Sequence, residues 1–295
     1  MANVRDIIAL AKPRIIVLLA ITCLAGSLVA AKGNWELLAW RADAVVWGLL
    51  GLVLSASGAN MLNMWFDRDI DPLMKRTRTR PIPAGRMAPA TVLVLGVTTL
   101  VLGGLAASMA NMLTAAMALA GGLFYVLVYT MVLKRNTVQN IVIGGAAGAF
   151  PPVVGWAAVQ GDASTLLPWL MFGVVFLWTP PHFWALALMA NTDYTKAGVP
   201  MYPVVYGEAA TRIAMMRYLW VLVAFTLLGG LLPPLGWLYT CAALGLGLWW
   251  GMACYRLLHA PQPTSENMQP ARLVFIRSLY YLALLFAAMV GDSWY

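Results

Sequence analysis

Asn63, Asp67 and Asp71 stand four residues apart at the end of a long apolar run. On an α-helix that spacing turns each residue only about 40° from the last, so the three would form one oxygen-rich stripe. Carboxylate and amide oxygens suit a hard divalent cation. Mg2+ takes only one or two protein carboxylates and fills its octahedron with water and substrate phosphate oxygens. Lys75, Arg76, Arg78 and Arg80 follow within ten residues of Asp71. A metal-binding stripe beside a basic cluster reads as a site for a polyanion, most simply a diphosphate. The plainer reading is a solvated, basic hinge with compensating acids. What weighs against it is a second polar segment, Asn191 to Met201, which carries Asp193.

Those side chains must be positioned by elements that are not water-soluble. Of 295 residues 62% are hydrophobic and only 10% charged, with a mean hydropathy of +0.78, whereas a soluble domain is roughly a quarter charged. The charges are clustered, and about 20 apolar helical residues cross a hydrocarbon core of about 30 Å. The charge-free runs predict an all-α bundle of nine transmembrane helices, at about 15–31, 44–66, 89–109, 112–133, 138–159, 165–189, 213–232, 236–257 and 273–291. They read as one intramembrane domain over 1–295. Every Lys and Arg except Lys32 and Arg41 falls in segments on one side. The positive-inside rule then puts the N-terminus and the mouth of the site in the cytoplasm and the C-terminus outside, in a cytoplasmic (inner) membrane. The first 31 residues superficially resemble a signal peptide, but eight more spans follow, and the first helix reads as uncleaved. The net charge of +8 suits an anionic leaflet and calls for no nucleic acid.

Helices 2 and 6 are four spans apart and run in the same direction, so Asp193 is delivered to the same face as Asp67 and Asp71. Spans 1 to 4 and 5 to 8 each place an acid at the inner end of their second helix, which suggests a parallel internal repeat. Cys23, Cys241 and Cys254 form no C-x-x-C pair and read as packing residues. His182 lies within a span, where a polar ring is a functional candidate by default. It reads as a hydrogen-bond partner of a helix carbonyl. Pro151-Pro152 and Pro180-Pro181 should bend their helices and free carbonyls that neighbours must satisfy or that line a slot.

The stripe N-x-x-x-D-x-x-x-D followed by K-R-T-x-x-R-P resembles the first aspartate-rich motif of the intramembrane prenyltransferases, the UbiA superfamily. Three further stretches are similar to its heme-farnesylating branch: Lys134-Arg135-Asn136-Thr137 through Asn140 to Gly145, Pro180-Pro181-His182-Phe183-Trp184, and Asp193-Tyr194 through Ala197 to Met201. The resemblance spans essentially the whole chain. It implies transfer of a farnesyl group from farnesyl diphosphate to a vinyl group of heme b, with water capturing the resulting cation to give heme O for terminal oxidase biogenesis. It implies that Asn63, Asp67, Asp71 and Asp193 hold Mg2+ and diphosphate, with Lys75, Arg76, Arg80, Lys134 and Arg135 as phosphate partners. Asn140, His182, Tyr194 and Lys196 lie in the same stretches and complete the expected substrate-binding set. Under the resemblance His182 reads also as a ligand of heme iron or a partner of a propionate. Heme A synthase or oxidase assembly factors are the implied protein partners.

Cation-attracting rings near the allylic cation and the porphyrin would come from Tyr125, Tyr129, Phe150, Trp156, Phe183 and Trp184. Two departures bear on the metal. Met189 stands four residues before Asp193, where aromatic prenyltransferases carry a second acid, and Asn191 stands where a Lys or Arg is usual. The rival readings are another prenyl acceptor, a quinone precursor or chlorophyllide, and more remotely a transporter, whose ionisable groups would sit near the bilayer midplane.

Overall fold

The computed structural model describes residues 3–295. Among them the chain is helical, with no strand, and nine helices are long and apolar enough to cross a membrane. In order, α1 (Val4–Ala11) precedes α2 (Pro13–Ala31), α3 (Trp35–Trp40), α4 (Ala42–Phe66), α5 (Pro89–Ser108) and α6 (Met112–Leu123). The last continues as a π-helix, Phe124–Leu133, into one final turn, α7 (Lys134–Asn136). Then come α8 (Asn140–Gly144), α9 (Ala146–Gln160), α10 (Leu166–Met189), α11 (Asn191–Lys196), α12 (Tyr202–Gly229), α13 (Trp237–Leu258) and α14 (Gln269–Trp294).

Lipid offers no hydrophobic driving force between helices, so close backbone approach has to come from small residues. α2 and α9 meet this way: a Cβ on Gly155 would lie 1.9 Å from the Cys23 carbonyl oxygen, and one on Gly26 would lie 2.1 Å from that of Pro152. Ser27 Oγ donates to the Gly155 carbonyl across the same seam at 3.0 Å. α4 and α5 are pressed together likewise at Gly51, Gly58 and Gly103. The bundle closes where α14 returns against α2, with the Trp294 indole N–H donating to the Leu28 carbonyl at 2.9 Å.

The nine expected spans are all present, and four differences have local causes. α12 begins eleven residues earlier than expected, at Tyr202, and turns at Gly207, whose φ of 79° is open to glycine. α10 keeps a helical backbone through Pro180 and Pro181. The short helix α1 lies over the end of the bundle, seating Leu10 among Met61, Met64 and Met87 and linking Asp6 to Arg86 at 2.7 Å. The fourth difference is at the acidic stripe. α4 stops at Phe66, and Asp67 and Asp71 each open a separate 3-10 turn. Pro72 has no N–H to continue a helix and disfavours α geometry in the residue before it.

Gly155→Val should leave little folded protein or lower its thermal midpoint by about 5 °C or more, since overpacking costs about 1–3 kcal/mol. Gly148→Ala meets nothing within 4 Å and should leave the midpoint unchanged. Thermal unfolding of the detergent-purified protein separates the two.

Candidate active site

At the end of the bundle where α4 finishes, Asp67 and Asp71 are completely buried. Bare carboxylates could not be, because the desolvation cost demands partners. Asp67 is paired with Lys134 and accepts from the Asn63 amide at 2.8 Å. Asp71 takes both oxygens to one Arg80 nitrogen, each at 2.8 Å. Arg135 bridges the group to the exposed Asp69, at 2.6 Å and 2.7 Å, and approaches Asp67 at 3.5 Å. Burial nonetheless holds the Asp71 carboxyl above the usual range, with Arg80 pulling the other way.

Lys134 reaches Asp67 from the π-helical stretch. A π-helix adds a residue to each turn and recurs at functional sites. Here the wider turn lets Thr130 Oγ donate to the Tyr125 carbonyl at 2.7 Å while accepting from Asn63 at 3.2 Å. It also stacks the rings of Tyr125 and Tyr129 at 5.4 Å.

A residue that the sequence reading counted only as an N-terminal charge completes the cluster. Lys12 sits between α1 and α2 with φ of 56° and ψ of 64°. Pro13 disfavours right-handed α geometry at this position, and a left-handed non-glycine residue persists only where its surroundings hold it. Its ammonium donates to Asn63 Oδ1 at 3.0 Å and to the Tyr125 hydroxyl at 3.2 Å. Burial, with Arg80 and Lys134 nearby, pushes the Lys12 ammonium well below the ordinary lysine range.

Asp193 does not sit at the end of the sixth span. It lies on α11, and its carboxylate accepts the backbone N–H groups of Lys75 at 3.2 Å and Arg76 at 3.4 Å. It therefore fastens α11 to the loop that follows Asp71. Tyr194 strengthens the junction, accepting from Arg76 at 3.1 Å under its guanidinium, and is buried with Ile70, Met74 and Met201. Asn140 is buried beneath, donating to the carbonyls of Lys134 at 3.4 Å and Pro200 at 3.3 Å. Lys75 and Lys196 are exposed and enter no ion pair among the described residues.

His182 is elsewhere. It is stacked between Trp178, at 4.1 Å, and Phe275, at 4.7 Å, with Nδ1 2.6 Å from Ser278 Oγ. Ser278 Oγ lies 2.5 Å from the Phe275 carbonyl, which can only accept. The serine proton is thereby committed, so Nδ1 donates and Nε2 keeps its lone pair. Phe183 meets the His182 ring edge-on, and Phe150 packs on Phe172. Trp156 and Trp184 are buried and line two separate cavities at opposite ends of the bundle.

The polar atoms of the cluster are the hard oxygens of Asp67, Asp71 and Asn63, and they fit a divalent cation that draws its remaining ligands from phosphate and water. Among the described residues no three Asp, Glu, His or Cys side chains form a ready metal cage. Two carboxylates and an amide are thus what this end of the chain offers. Asp193→Ala should free the loop after Asp71, and trypsin should then cut at the exposed Lys75, Arg76 and Arg78 about tenfold faster, a change worth about 1.4 kcal/mol. An unchanged cleavage rate would remove its fastening role.

Comparison with known proteins agrees with this architecture. A family model described as the UbiA prenyltransferase family matches residues 19–290. A protoheme IX farnesyltransferase of Gloeobacter violaceus is 50% identical over 99% of the chain and 93% of its own length. The fold is shared with a solved digeranylgeranylglyceryl phosphate synthase, with a TM-score of 0.77, 18% identity and 98% of each chain covered. It is also shared with a UbiA homolog from Archaeoglobus fulgidus bound to DMAPP and Mg2+, with a TM-score of 0.66, 16% identity, and 96% of this chain and 99% of that one covered. With its nine apolar helices and this match along nearly its whole length, the chain is an integral membrane protein that belongs to the UbiA prenyltransferase family.

Proposed function

We propose that the chain transfers the farnesyl group of farnesyl diphosphate to a vinyl carbon of heme b, with water capturing the resulting carbocation and releasing a proton, giving heme O and diphosphate. The observation that carries a prenyl diphosphate is the buried Asp67–Asp71 pair ringed by Lys12, Arg80, Lys134 and Arg135. Arg80, Lys134 and Arg135 face the carboxylates of Asp67, Asp69 and Asp71 there, and Lys75, Arg76 and Arg78 add charge at the mouth. Heme as acceptor rests on the half-identical relative named for that reaction. It rests also on His182, whose Nε2 retains a lone pair able to ligate iron or accept from a donor.

Asp67, Asp71 and Asn63 would hold Mg2+, and Asn63 would present Oδ1 to it after a half-turn of its amide. The bound ion would supply charge neutralisation of the departing diphosphate. The chain's own cations do the rest. Arg80 and Lys134, which now neutralise the carboxylates, would serve diphosphate oxygens, and Lys12 would supply a further donor from the α1 side. Tyr125 and Tyr129 present stacked rings beside this cluster, suited to shelter an allylic cation. The acceptor vinyl group attacks that cation, so no protein nucleophile is needed. Asp193 contributes by holding the basic loop in place. With the Lys- and Arg-rich ends inside, the site opens to the cytoplasm of a cell whose inner membrane holds the chain.

Incubating the purified protein with heme b and labelled farnesyl diphosphate should give a farnesylated, hydroxylated porphyrin by mass analysis. Label on a different acceptor would refute heme specificity. Asp67→Asn and Asp71→Asn should each lower turnover by about 10²–10³ while the protein stays folded. EDTA should stop the reaction and Mg2+ restore it. Lys12→Met should raise KM for the diphosphate about tenfold and leave KM for heme unchanged. An unaltered KM would exclude Lys12 from the diphosphate site.

A further inference from the structure

On the face of the bundle that carries the acids, but away from them, the turn before α8 together with α10 and α12 borders an open cavity of about 170 Å3 lined by Gln139, Trp184, Tyr202, Ala214, Arg217 and Tyr218. Its polar groups are all able to donate, and no carboxylate lines it. The Trp184 indole N–H is fully enclosed and has no hydrogen-bond partner, although its ring is clamped between Tyr202 at 4.7 Å and Tyr218 at 5.3 Å. The enclosed N–H lies behind the cavity wall, so Arg217 is the group the cavity offers to an anion. Arg217 belongs to a membrane span and forms no ion pair among the described residues. The acid nearest it along α12, Glu208, is committed to Arg212 and Thr264.

Position along the spans favours a lipid headgroup. Trp184 stands five residues before the end of α10, about 7 Å along the axis from the polar end of a membrane-length helix. Exposed Tyr206, Ile213, Trp220 and Val221 flank the cavity on α12 and face the lipid. The same design recurs at the opposite end of the bundle. A cavity of about 210 Å3 there is lined by Trp156, Lys32, Thr165 and apolar neighbours. Trp156 again has an enclosed, unpartnered indole N–H and stands four residues from the end of α9, about 6 Å. Lys32 again forms no ion pair among the described residues. An enzyme substrate would account for one such pocket on the reacting face. A bilayer accounts for two, because it presents a plane of phosphates on each side.

We propose that these cavities are headgroup sites for anionic phospholipids, one per leaflet, in which the Arg217 or Lys32 cation holds a lipid phosphate beside the buried Trp184 or Trp156 ring. Basic pockets between transmembrane helices suit such headgroups. The reading is independent of the acceptor chemistry proposed above.

Native mass spectrometry of the full-length protein in mild detergent, titrated with phosphatidylglycerol, should show two lipids retained per chain. Arg217→Gln should weaken one of them about tenfold, Lys32→Gln the other, and the double variant both. Arg217→Lys should keep part of the first lipid's binding, and Arg256→Gln, at another basic helix end, should change nothing. Inorganic phosphate should neither bind nor compete. Wild-type retention by Arg217→Gln and Lys32→Gln would overturn the proposal, as would equally tight retention of phosphatidylcholine. Displacement of the Arg217 lipid by a dicarboxylic porphyrin would reassign that cavity to the acceptor. Because lipid retention needs no turnover, its failure is separate from any failure of the farnesylation assay.

Discussion

Two carboxylates buried at the end of a membrane bundle set the terms for everything near them. Desolvating Asp67 and Asp71 is tolerable only with cations in hydrogen-bond contact, and removing one member of such a pair leaves an uncompensated buried charge worth several kcal/mol. The chain meets that demand from two places, Lys134 and Arg135 beyond the π-helical stretch and Arg80 from the loop, while Lys12 at the joint before α2 bonds the same Asn63 that donates to Asp67. The helices beneath supply rigidity through glycine contacts too close for any side chain, so the charged cluster rests on a frame that cannot drift.

The spans were legible because lipid imposes a simple rule: every backbone polar group must be satisfied within the segment, so a charge-free run of the right length has one available form. The acids were legible by type and spacing. Their shape was not. The four-residue period fits a helix up to Phe66, but Pro72 and tight i to i+3 bonding, such as Ile70 N–H to the Asp67 carbonyl at 3.0 Å, change the geometry within one turn. Asp193 shows the same limit from another direction. Its sign and its face follow from counting spans, but its two backbone partners at Lys75 and Arg76 lie more than a hundred residues away in sequence and leave no trace in local pattern.

Lys12 was hidden for a different reason. As one of three basic residues before the first span, it is indistinguishable from the topogenic charges that the positive-inside rule predicts. Its separate role appears only in its left-handed backbone and in the two side-chain bonds that hold it. The π-helix is equally silent in sequence, since Phe124 to Leu133 reads as an apolar run broken only by Thr130.

The charge balance of the cluster also decides what can enter it. Arg80, Lys134 and Arg135 balance Asp67, Asp69 and Asp71, and the exposed Lys75, Arg76 and Arg78 tip the mouth positive, so a neutral or cationic ligand gains nothing from displacing the existing pairs. An anion does gain, because Arg80 and Lys134 could exchange a carboxylate for a phosphate oxygen without losing a charge-assisted bond, and the carboxylates so released would suit a divalent cation. A molecule with a strongly anionic head and a long apolar tail meets both halves of the constraint: its head replaces partners at the polar end, and its tail needs only the apolar interior that nine packed helices already provide.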